Sequence, residues 1–136
     1  MKNAIIATGK RKTSVARAVI KPGKGKIMIN KKPISLFNEF HQLLLKEPLV
    51  LAQPILKDKL KQVDIEVNVR GGGVESQVGA SRLAIAKALV EFFGSQQLKK
   101  AYLKYDKTLL VADVRRKEMR KWGISKARKK RQKSYR

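Results

Sequence analysis

The chain has 136 residues, of which 43% are apolar, so it can bury the core of one ordinary domain but hardly of two. Its 33 Lys and Arg against 10 Asp and Glu give a formal net charge of +23, which favours a polyanionic partner, either nucleic acid or an anionic membrane. Zero Cys and one His exclude a disulfide framework and a thiolate or histidine metal cluster, and no apolar run is long enough for a membrane span or a signal-peptide core. These features fit a reducing, cytoplasmic setting.

The basic residues are concentrated at the two ends of the chain. Residues 1–38 hold ten bases and no acid, and residues 115–136 hold twelve bases and one acid, Glu118. Residues 39–114 hold eleven bases and nine acids, which is the balance of an ordinary protein surface. The pattern predicts a globular domain over residues 1–114 and a basic, extended C-terminal tail over residues 115–136.

Strand signals come first along the chain. TSVARAVI at 13–20 and KIMIN at 26–30 flank a Pro- and Gly-containing turn, which predicts a hairpin. VDIEVNVR at 63–70 alternates strictly between apolar and polar residues and is the clearest strand. Shorter helices are predicted at 34–40, at 49–60 with Pro54 limiting continuity, and at 96–105.

A glycine-rich turn leads into a long amphipathic helix predicted over residues 75–93 and ended by Gly94. The segment RGGGVESQVG resembles a phosphate-cradling turn, but Ser76 stands where G-x-G-x-x-G requires its third Gly. A backbone contact with an RNA phosphate and a plain structural turn are both open for Gly71–Gly73. Arg82 falls within the apolar arc of the helix, where a snorkelling or capping role and a phosphate contact fit equally.

No group of residues indicates catalysis. TGKRKTS at 8–14 has the ingredients of a P-loop in the wrong order, which argues against a nucleoside triphosphate site. The acids of the central region are scattered without a pair spaced for general acid and base, and His41 has no visible Ser or Cys partner. We therefore predict a chain that is not an enzyme and needs neither a cofactor nor a metal.

The chain ends in KKRQKSYR, in which five of eight residues are Lys or Arg and none is aliphatic. Such a segment is expected to be disordered alone and extended on a partner. A solvated tail or a localisation-type cluster is the alternative. Tyr135 favours RNA, because an aromatic ring among Lys and Arg residues can stack on an unpaired nucleotide. A membrane contact is less well supported, because Met119, Trp122 and Ile124 are not spaced to form an amphipathic face.

The stretches ATGKRKTSVARAVI, PGKGKIMINKKP, VRGGGVESQVGASR and KKRQKSYR follow one another along the chain. Together they resemble the universal small-subunit ribosomal protein S-nine family in its archaeal or eukaryotic-like form. The resemblance implies an α+β fold, a two-layer sandwich with a four-stranded mixed sheet and helices on one face. It also implies a structural protein of the small-subunit head that binds rRNA and neighbouring head proteins, and whose C-terminal tail contacts peptidyl-site tRNA.

The resemblance carries specific residues with it. The implied rRNA-binding residues are Gly9, Lys10, Arg11, Lys12, Arg17, Gly71, Gly72, Gly73, Gln77, Arg82, Arg115, Arg116, Arg128 and Lys129. The implied tRNA-binding residues are Lys130, Arg131, Gln132, Lys133, Ser134, Tyr135 and Arg136. The sequence departs from the family pattern at Val114, where Pro is frequent, and at Ala84, where Gly is frequent.

Two other functions fit the composition. A free-standing RNA chaperone or DNA-compacting protein would need the same charge but would act alone and with little site preference. A small RNA-processing enzyme would need a paired acid, a metal cluster or a complete phosphate loop, none of which the sequence contains.

Overall fold

Strands fill the first quarter of the chain, and helices follow on either side of one further long strand. The computed structural model describes residues 4–131 and 133–134. Within these residues the strands are β1 (Ile5–Arg11), β2 (Ser14–Pro22), β3 (Ile27–Ile29), β4 (Lys32–Pro33) and β5 (Val63–Arg70). The α-helices are α1 (Glu39–Leu56), α2 (Val74–Phe93) and α3 (Gln96–Tyr105), and short 3₁₀ helices span Ile34–Leu36, Lys57–Gln62 and Lys107–Leu109.

The strands form one mixed sheet in the order β1-β2-β5-β3-β4. β1 and β2 are antiparallel and are joined by a tight turn in which Lys12 has a φ of 52°. β5 is antiparallel to β2 and parallel to β3, so that Ile65 stands opposite both Ile20 and Ile27. β5 is therefore the central strand, as its strictly alternating sequence suits.

The predicted hairpin between residues 13–20 and 26–30 is wrong. β5 lies between β2 and β3, and β2 pairs instead with β1, a strand that was not predicted. The intervening turn is held by β5, because Oδ1 of Asp64 accepts hydrogen bonds of 2.8 Å from the backbone N–H groups of Lys24 and Lys26. A carboxylate from a distant strand thus replaces the ladder that would close a hairpin.

The sheet has five strands in the described residues, and the expected number of four is too low by one. The additional strand, β4, has two residues and pairs with the end of β3. Its position at the sheet edge explains how it can contain Pro33, which has no N–H to give to a further strand.

The helices predicted at 34–40 and 49–60 have the wrong bounds, because α1 joins the last two residues of the first segment to most of the second, while 3₁₀ helices cover Ile34–Leu36 and Lys57–Gln62. Pro48 and Pro54 lie inside α1. Proline removes a helical hydrogen bond, but Pro48 lies on the buried stripe with Leu45, Ala52 and Leu56, so tertiary packing compensates. The carbonyl of Pro48 also accepts a 2.6 Å hydrogen bond from the buried hydroxyl of Tyr102.

The remaining predictions of secondary structure are confirmed. β5 covers residues 63–70, α2 begins one residue before the predicted start and ends at Gly94 with a φ of 60°, and α3 covers residues 96–105. The α+β class and the mixed sheet with helices on one face are confirmed as well. None of the described helices has the length and apolarity that a membrane span requires.

The helices cover one face of the sheet, and α2 packs directly on β1 and β2. The contact is close because Gly9 has no side chain: a Cβ at this position would lie 2.2 Å from the carbonyl oxygen of Ala80 and 2.7 Å from the nitrogen of Ala84. Inward residues of β2 and β5 complete the core, including Ala16, Ala18, Ile20, Ile65 and Val67. The opposite face of the sheet is left uncovered by helices, and it positions the site described next.

Candidate nucleic-acid interface

The uncovered side of the sheet, which we call the open face, carries the outward residues of β1, β2 and β5. Strand parity places Arg17 opposite Asn68 and Val15 opposite Arg70, with all four side chains pointing away from the helices. They border an open concavity of about 850 Å³ lined by Ile6, Val15, Arg17, Val19, Asn30, Lys31, Asn68, Val69 and Arg70. The lining includes three bases and no acid.

The bases on the open face are available for an external anion. Within the described part of the chain, the ion-paired bases are Lys61, Arg82, Arg115 and Arg128, together with His41. Arg17, Lys31 and Arg70 are not among them. Between these charged side chains lies an apolar floor formed by Ile6, Val15 and Val19. Such a surface suits a ligand that combines flat aromatic rings with a charged backbone.

One end of the sheet, which we call the glycine end, brings together the turn after β1 and the turn after β5. Gly71 and Gly72 have φ values of +77° and +67°, which favour glycine strongly. A Cβ on Gly71 would lie 2.7 Å from the carbonyl oxygen of Thr13, so the two turns touch. The predicted residues Lys10, Lys12, Gly71, Gly72, Gly73 and Gln77 therefore lie at this end, and Gln77 donates a 3.1 Å hydrogen bond to the carbonyl of Gly71.

Two serines that were not predicted as site residues hold the glycine end together. The hydroxyl of Ser14 donates to the carbonyl of Gly71 at 2.8 Å and lies 2.7 Å from the hydroxyl of Ser76. Ser76 in turn accepts from the N–H of Gly73 at 3.1 Å, so that it caps α2 from within. The residue that breaks the G-x-G-x-x-G pattern is therefore what fixes the turn.

Protein side chains compensate the dipole and cap the N-terminal end of α2. Glu75 in the first turn forms a 2.6 Å contact with Nε2 of His41, and a carboxylate at this position interacts favourably with the helix dipole. Together with the Ser76 cap, this arrangement favours the structural-turn interpretation for the helix end itself. The turn residues Gly71–Gly73 remain exposed, so their backbone is accessible to a partner.

Arg82, one of the predicted rRNA-binding residues, is engaged inside the fold. Its Nε lies 2.5 Å from Oε2 of Glu47 and its Nη2 lies 2.9 Å from Oδ2 of Asp106, with only 14% of its side chain exposed. Desolvation opposes the charged form, but the two carboxylates outweigh it and raise the pKa of Arg82. These contacts tie α2 to α1 and to the residue after α3, and they favour the structural alternative over a phosphate contact.

The same network perturbs its acidic members. Partial burial acts to raise the pKa of Asp106, but hydrogen bonds from Thr108 and Arg82 prevail and leave it below its ordinary value. A hydrogen bond to Glu47 raises the pKa of Tyr105. The carboxylates of this network are therefore committed to the fold.

Of the other residues predicted near the start of the sheet, Gly9 is buried beneath α2, and its backbone serves packing. Arg11 is half-buried and lies against α2, because a Cβ on Gly79 would be 2.5 Å from the Cδ of Arg11. Lys10, Lys12 and Arg17 are exposed. Of these five predicted residues, two therefore serve packing and three are exposed bases. The sequence alone could not distinguish the two groups.

The segment after the last 3₁₀ helix contains no further helix or strand in its described residues. Asp113 binds the side chain of Arg115 through both carboxylate oxygens at 2.8 to 3.1 Å, and these bonds are the main reason why its pKa falls to about 2. Val114, the departure from the family pattern, is exposed between them. The predicted residues Arg115, Arg116, Arg128, Lys129, Lys130, Arg131, Lys133 and Ser134 are all exposed, whereas Gln132, Tyr135 and Arg136 lie outside the described residues.

The opposite end of the sheet carries a basic group that the sequence analysis missed, which we call the lysine end. The loop after β2 lies against the 3₁₀ helix Lys57–Gln62, since the N–H of Gly23 donates to the carbonyl of Gln62 at 2.8 Å. Backbone hydrogen bonds from Lys26 and Lys24 lower the pKa of Asp64, which holds this loop. The exposed lysines gathered here are Lys21, Lys24, Lys26, Lys59 and Lys61.

Metal ligands are not clustered in the part of the chain that the structure describes, which has no group of three or more His, Asp or Glu side chains placed to hold an ion. The chemistry that the exposed surfaces offer is binding: cationic groups for phosphates, and an apolar floor flanked by Asn side chains for a base or sugar.

Comparison with known proteins identifies the family. A family model described as ribosomal protein S9/S16 matches residues 9–136. The chain is 50% identical over 133 residues to the small ribosomal subunit protein uS9 of Pyrobaculum aerophilum. This alignment covers 97% of this chain and 91% of that protein. The chain is 48% identical over 133 residues to the uS9 protein of Desulfurococcus amylolyticus and 49% identical over 131 residues to that of Methanococcus maripaludis strain C5, covering 97% and 94% of this chain and 92% and 95% of those proteins. These matches confirm both the resemblance and the prediction of a chain that is not an enzyme, and the chain belongs to the ribosomal protein S9/S16 family.

Proposed function

We propose that this chain is a structural component of the small ribosomal subunit, that it binds rRNA, and that it acts in translation in the cytoplasm. The observation that carries the proposal is the concavity on the open face, whose lining has Arg17, Lys31 and Arg70 around an apolar floor and no acid, while Glu66 lies opposite Val19 on the same side of the sheet. The names of the archaeal relatives, which are small ribosomal subunit proteins, support it. A net charge of +23 destabilises a compact fold through self-repulsion, and a polyanionic partner relieves that repulsion.

RNA binding by the domain involves the open face and the glycine end, with Lys10, Lys12, Arg17 and the backbone of Gly71–Gly73 as its contacts. The exposed bases Arg116 and Lys129 extend the same interaction along the chain, and so do Arg115 and Arg128, whose ion pairs with Asp113 and Glu118 leave their side chains largely exposed. The lysine end supplies a second group of phosphate contacts at the far side of the sheet, so that the domain bridges two stretches of rRNA. Gly9, Arg11, Gln77 and Arg82 serve this interface indirectly by positioning its elements.

The domain sits in the head of the subunit, with neighbouring head proteins against α1. This helix has one Lys and two Glu, and since Glu47 is paired with Arg82, it carries no excess of positive charge in a strongly basic chain. Phe40, Leu43 and Val50 lie on one side of it, each more than 60% exposed. A helix with an exposed apolar stripe and no excess of positive charge suits a protein neighbour better than RNA.

The C-terminal residues Lys130, Arg131, Gln132, Lys133, Ser134, Tyr135 and Arg136 contact the peptidyl-site tRNA. Four of these seven residues are bases and one is aromatic, and the segment has no aliphatic residue to bury. Guanidinium groups bind phosphates in a bidentate manner and the Tyr135 ring can stack on a base. Residues 115–136 act in this proposal as a tail distinct from the domain of residues 1–114.

A chain ending at Lys129 tests the tail and the domain separately. We expect subunits assembled with this variant to form normally and to hold peptidyl-site tRNA more weakly, because the domain keeps its rRNA-binding surfaces while four terminal bases are removed. A matched full-length control changes Lys99, Lys100, Lys104 and Lys107 to Gln, which removes four bases from the helical side. Normal tRNA affinity in the truncated subunits would refute the tRNA contact, whereas failure of the truncated chain to enter subunits would show that the tail is the main rRNA-binding element.

A further inference from the structure

The sole tryptophan of the chain lies at the tip of a β-turn in the C-terminal segment. The N–H of Ile124 donates a hydrogen bond to the carbonyl of Lys121 at 3.3 Å, which closes the turn around Trp122 and Gly123. Trp122 has a relative exposure of 102%, so its indole makes no packing contact that shields it from solvent.

The backbone conformation of this turn favours glycine at position 123. Gly123 has a φ of +74°, the left-handed value that the second central residue of a type II turn requires. A Cβ on Gly123 would meet no atom within 4 Å, so its glycine is required by conformation and not by packing. The turn therefore presents the indole without help from the domain core.

An ion pair closes the larger loop that contains the turn. Nε of Arg128 lies 2.9 Å from Oε2 of Glu118, ten residues away along the chain. Glu118 is the one acid of residues 115–136, and this contact neutralises it. The surface around Trp122 is thus cationic, with Arg120 and Lys121 directly before it and both exposed.

These features point to an anionic ligand with an aromatic plane. A membrane is a poor partner for this indole and the basic residues beside it, because Met119 and Ile124 do not form an apolar helix face with Trp122. A basic protein partner would be repelled. An unpaired nucleotide satisfies both requirements, since its base stacks on the indole while neighbouring phosphates meet Arg120 and Lys121.

We propose that Trp122 is a stacking platform for an unpaired base of RNA, presented by the turn Lys121–Ile124 and flanked by phosphate contacts from Arg120 and Lys121. The inference rests on the proposed RNA-binding function, which it deepens by assigning one nucleotide-binding residue outside the open face. It differs from the tRNA contact because it lies before residue 130.

The test uses the full chain and two probes, an in vitro transcript of small-subunit rRNA and a fully paired RNA duplex. Since the chain has one Trp, its fluorescence reports on this site alone when the indole is excited selectively. We expect the transcript to quench the fluorescence strongly and the duplex to quench it weakly. Binding is followed in parallel with labelled RNA, so that a bound but unstacked state is recognised.

Substitutions distinguish stacking from other contacts. Trp122→Ala is expected to weaken binding of the transcript about 5- to 100-fold, whereas Trp122→Phe retains most of the affinity and Trp122→Leu does not. Met119→Ala, which removes a neighbouring exposed apolar side chain, is the control and leaves binding unchanged. Gly123→Ala lowers the quenching, because an L-residue with a Cβ disfavours the left-handed backbone of the turn.

Three results would overturn the inference. If the transcript binds but neither quenches Trp122 nor loses affinity on Trp122→Ala, stacking is wrong while RNA binding stands. If Trp122→Leu binds as tightly as the wild type, the residue enters an apolar pocket and does not stack. If the wild-type chain fails to bind the transcript at all, the proposed function itself fails.

Discussion

Ser14 and Ser76, 62 residues apart in sequence, join their hydroxyl groups in a buried hydrogen bond of 2.7 Å. The bond links the first residue of β2 to the first turn of α2 directly beneath Gly72, where a Cβ would be 2.2 Å from Oγ of Ser14 and 2.5 Å from Oγ of Ser76. The shape of the exposed glycine turn thus depends on two buried side chains.

Ser76→Ala is expected to lower the free energy of unfolding by about 1–2 kcal/mol, because it removes the cap on the Gly73 N–H and leaves Ser14 with one partner fewer. Chemical denaturation measures the change. Ser81→Ala is the matched control: Ser81 is also buried on α2, but its hydroxyl only donates to the carbonyl of Gln77 within the helix, so we expect a change near zero. Equal losses in the two variants would contradict a special role for Ser76.

Gly9→Ala is expected to destabilise the fold by about 1–3 kcal/mol or more, because the new methyl group would overlap the backbone of α2 at Ala80 and Ala84. The melting temperature and the denaturation midpoint report the loss. Gly73→Ala provides the control, since a Cβ there meets nothing within 4 Å. A Gly9→Ala variant as stable as the wild type would show that α2 can move away from β1 without cost.

Arg82→Gln is expected to cost about 1–3 kcal/mol, because it leaves Glu47 and Asp106 without their shared cation. Lysine at this position would rescue little, since an ammonium group cannot reproduce the two-sided contact. The effect should depend on pH in a defined direction. The pKa of Asp106 is depressed in the fold, so its ion pair stabilises the protein above the ordinary Asp pKa, and this contribution is lost as pH falls through the lower folded value.

The stability difference between wild type and Arg82→Gln should therefore be largest near neutral pH and shrink below about pH 4. Denaturant titrations at several pH values measure it. A difference that stays constant down to strongly acidic pH would contradict the ion-pair account. A large loss of rRNA affinity with unchanged stability would instead favour the phosphate contact for Arg82.

Strong local patterns were sufficient to predict much of the fold. The alternation of residues 63–70 and the helical period ended by Gly94 each determine an element almost alone, and both were confirmed. The hairpin failed because pairing partners are a tertiary property: β5, more than thirty residues away, competes for β2 and β3, and Asp64 fixes the loop between them. Pro54 was expected to limit the continuity of a helix but lies inside α1, because tertiary packing of the helix outweighs local propensity.

The candidate site was predictable in part for a similar reason. Parity along VDIEVNVR already directs Asn68 and Arg70 away from the core, so these open-face residues could have been found from the sequence. The internal role of Arg82 could not, because Glu47 and Asp106 approach it from two other elements. The lysine end joins residues 21–26 to residues 59 and 61, and only the fold brings them together.

The pKa of Asp113 tests its contact with Arg115, at the start of the C-terminal segment. Its pKa of about 2 is due mainly to the side-chain hydrogen bonds from Arg115, so Arg115→Gln should raise it toward the ordinary Asp value. NMR titration of the carboxyl carbon measures this pKa. Arg116→Gln changes the same charge one residue further on and should leave the value low; an equal rise in both variants would mean that general charge, and not the bidentate contact, sets it.

The most direct test of the central claim is the salt dependence of binding to a small-subunit rRNA transcript. We compare the wild type with a variant carrying Arg17→Gln and Arg70→Gln on the open face, and with a charge-matched variant carrying Lys99→Gln and Lys100→Gln on α3. If the open face binds phosphates, the first variant should bind more weakly, and its slope of log K against log salt should be shallower by up to about 0.9 for each phosphate that it no longer neutralises, by analogy with duplex DNA. The α3 variant should keep the wild-type slope. Identical slopes in the two variants would mean that the open face does not bind RNA.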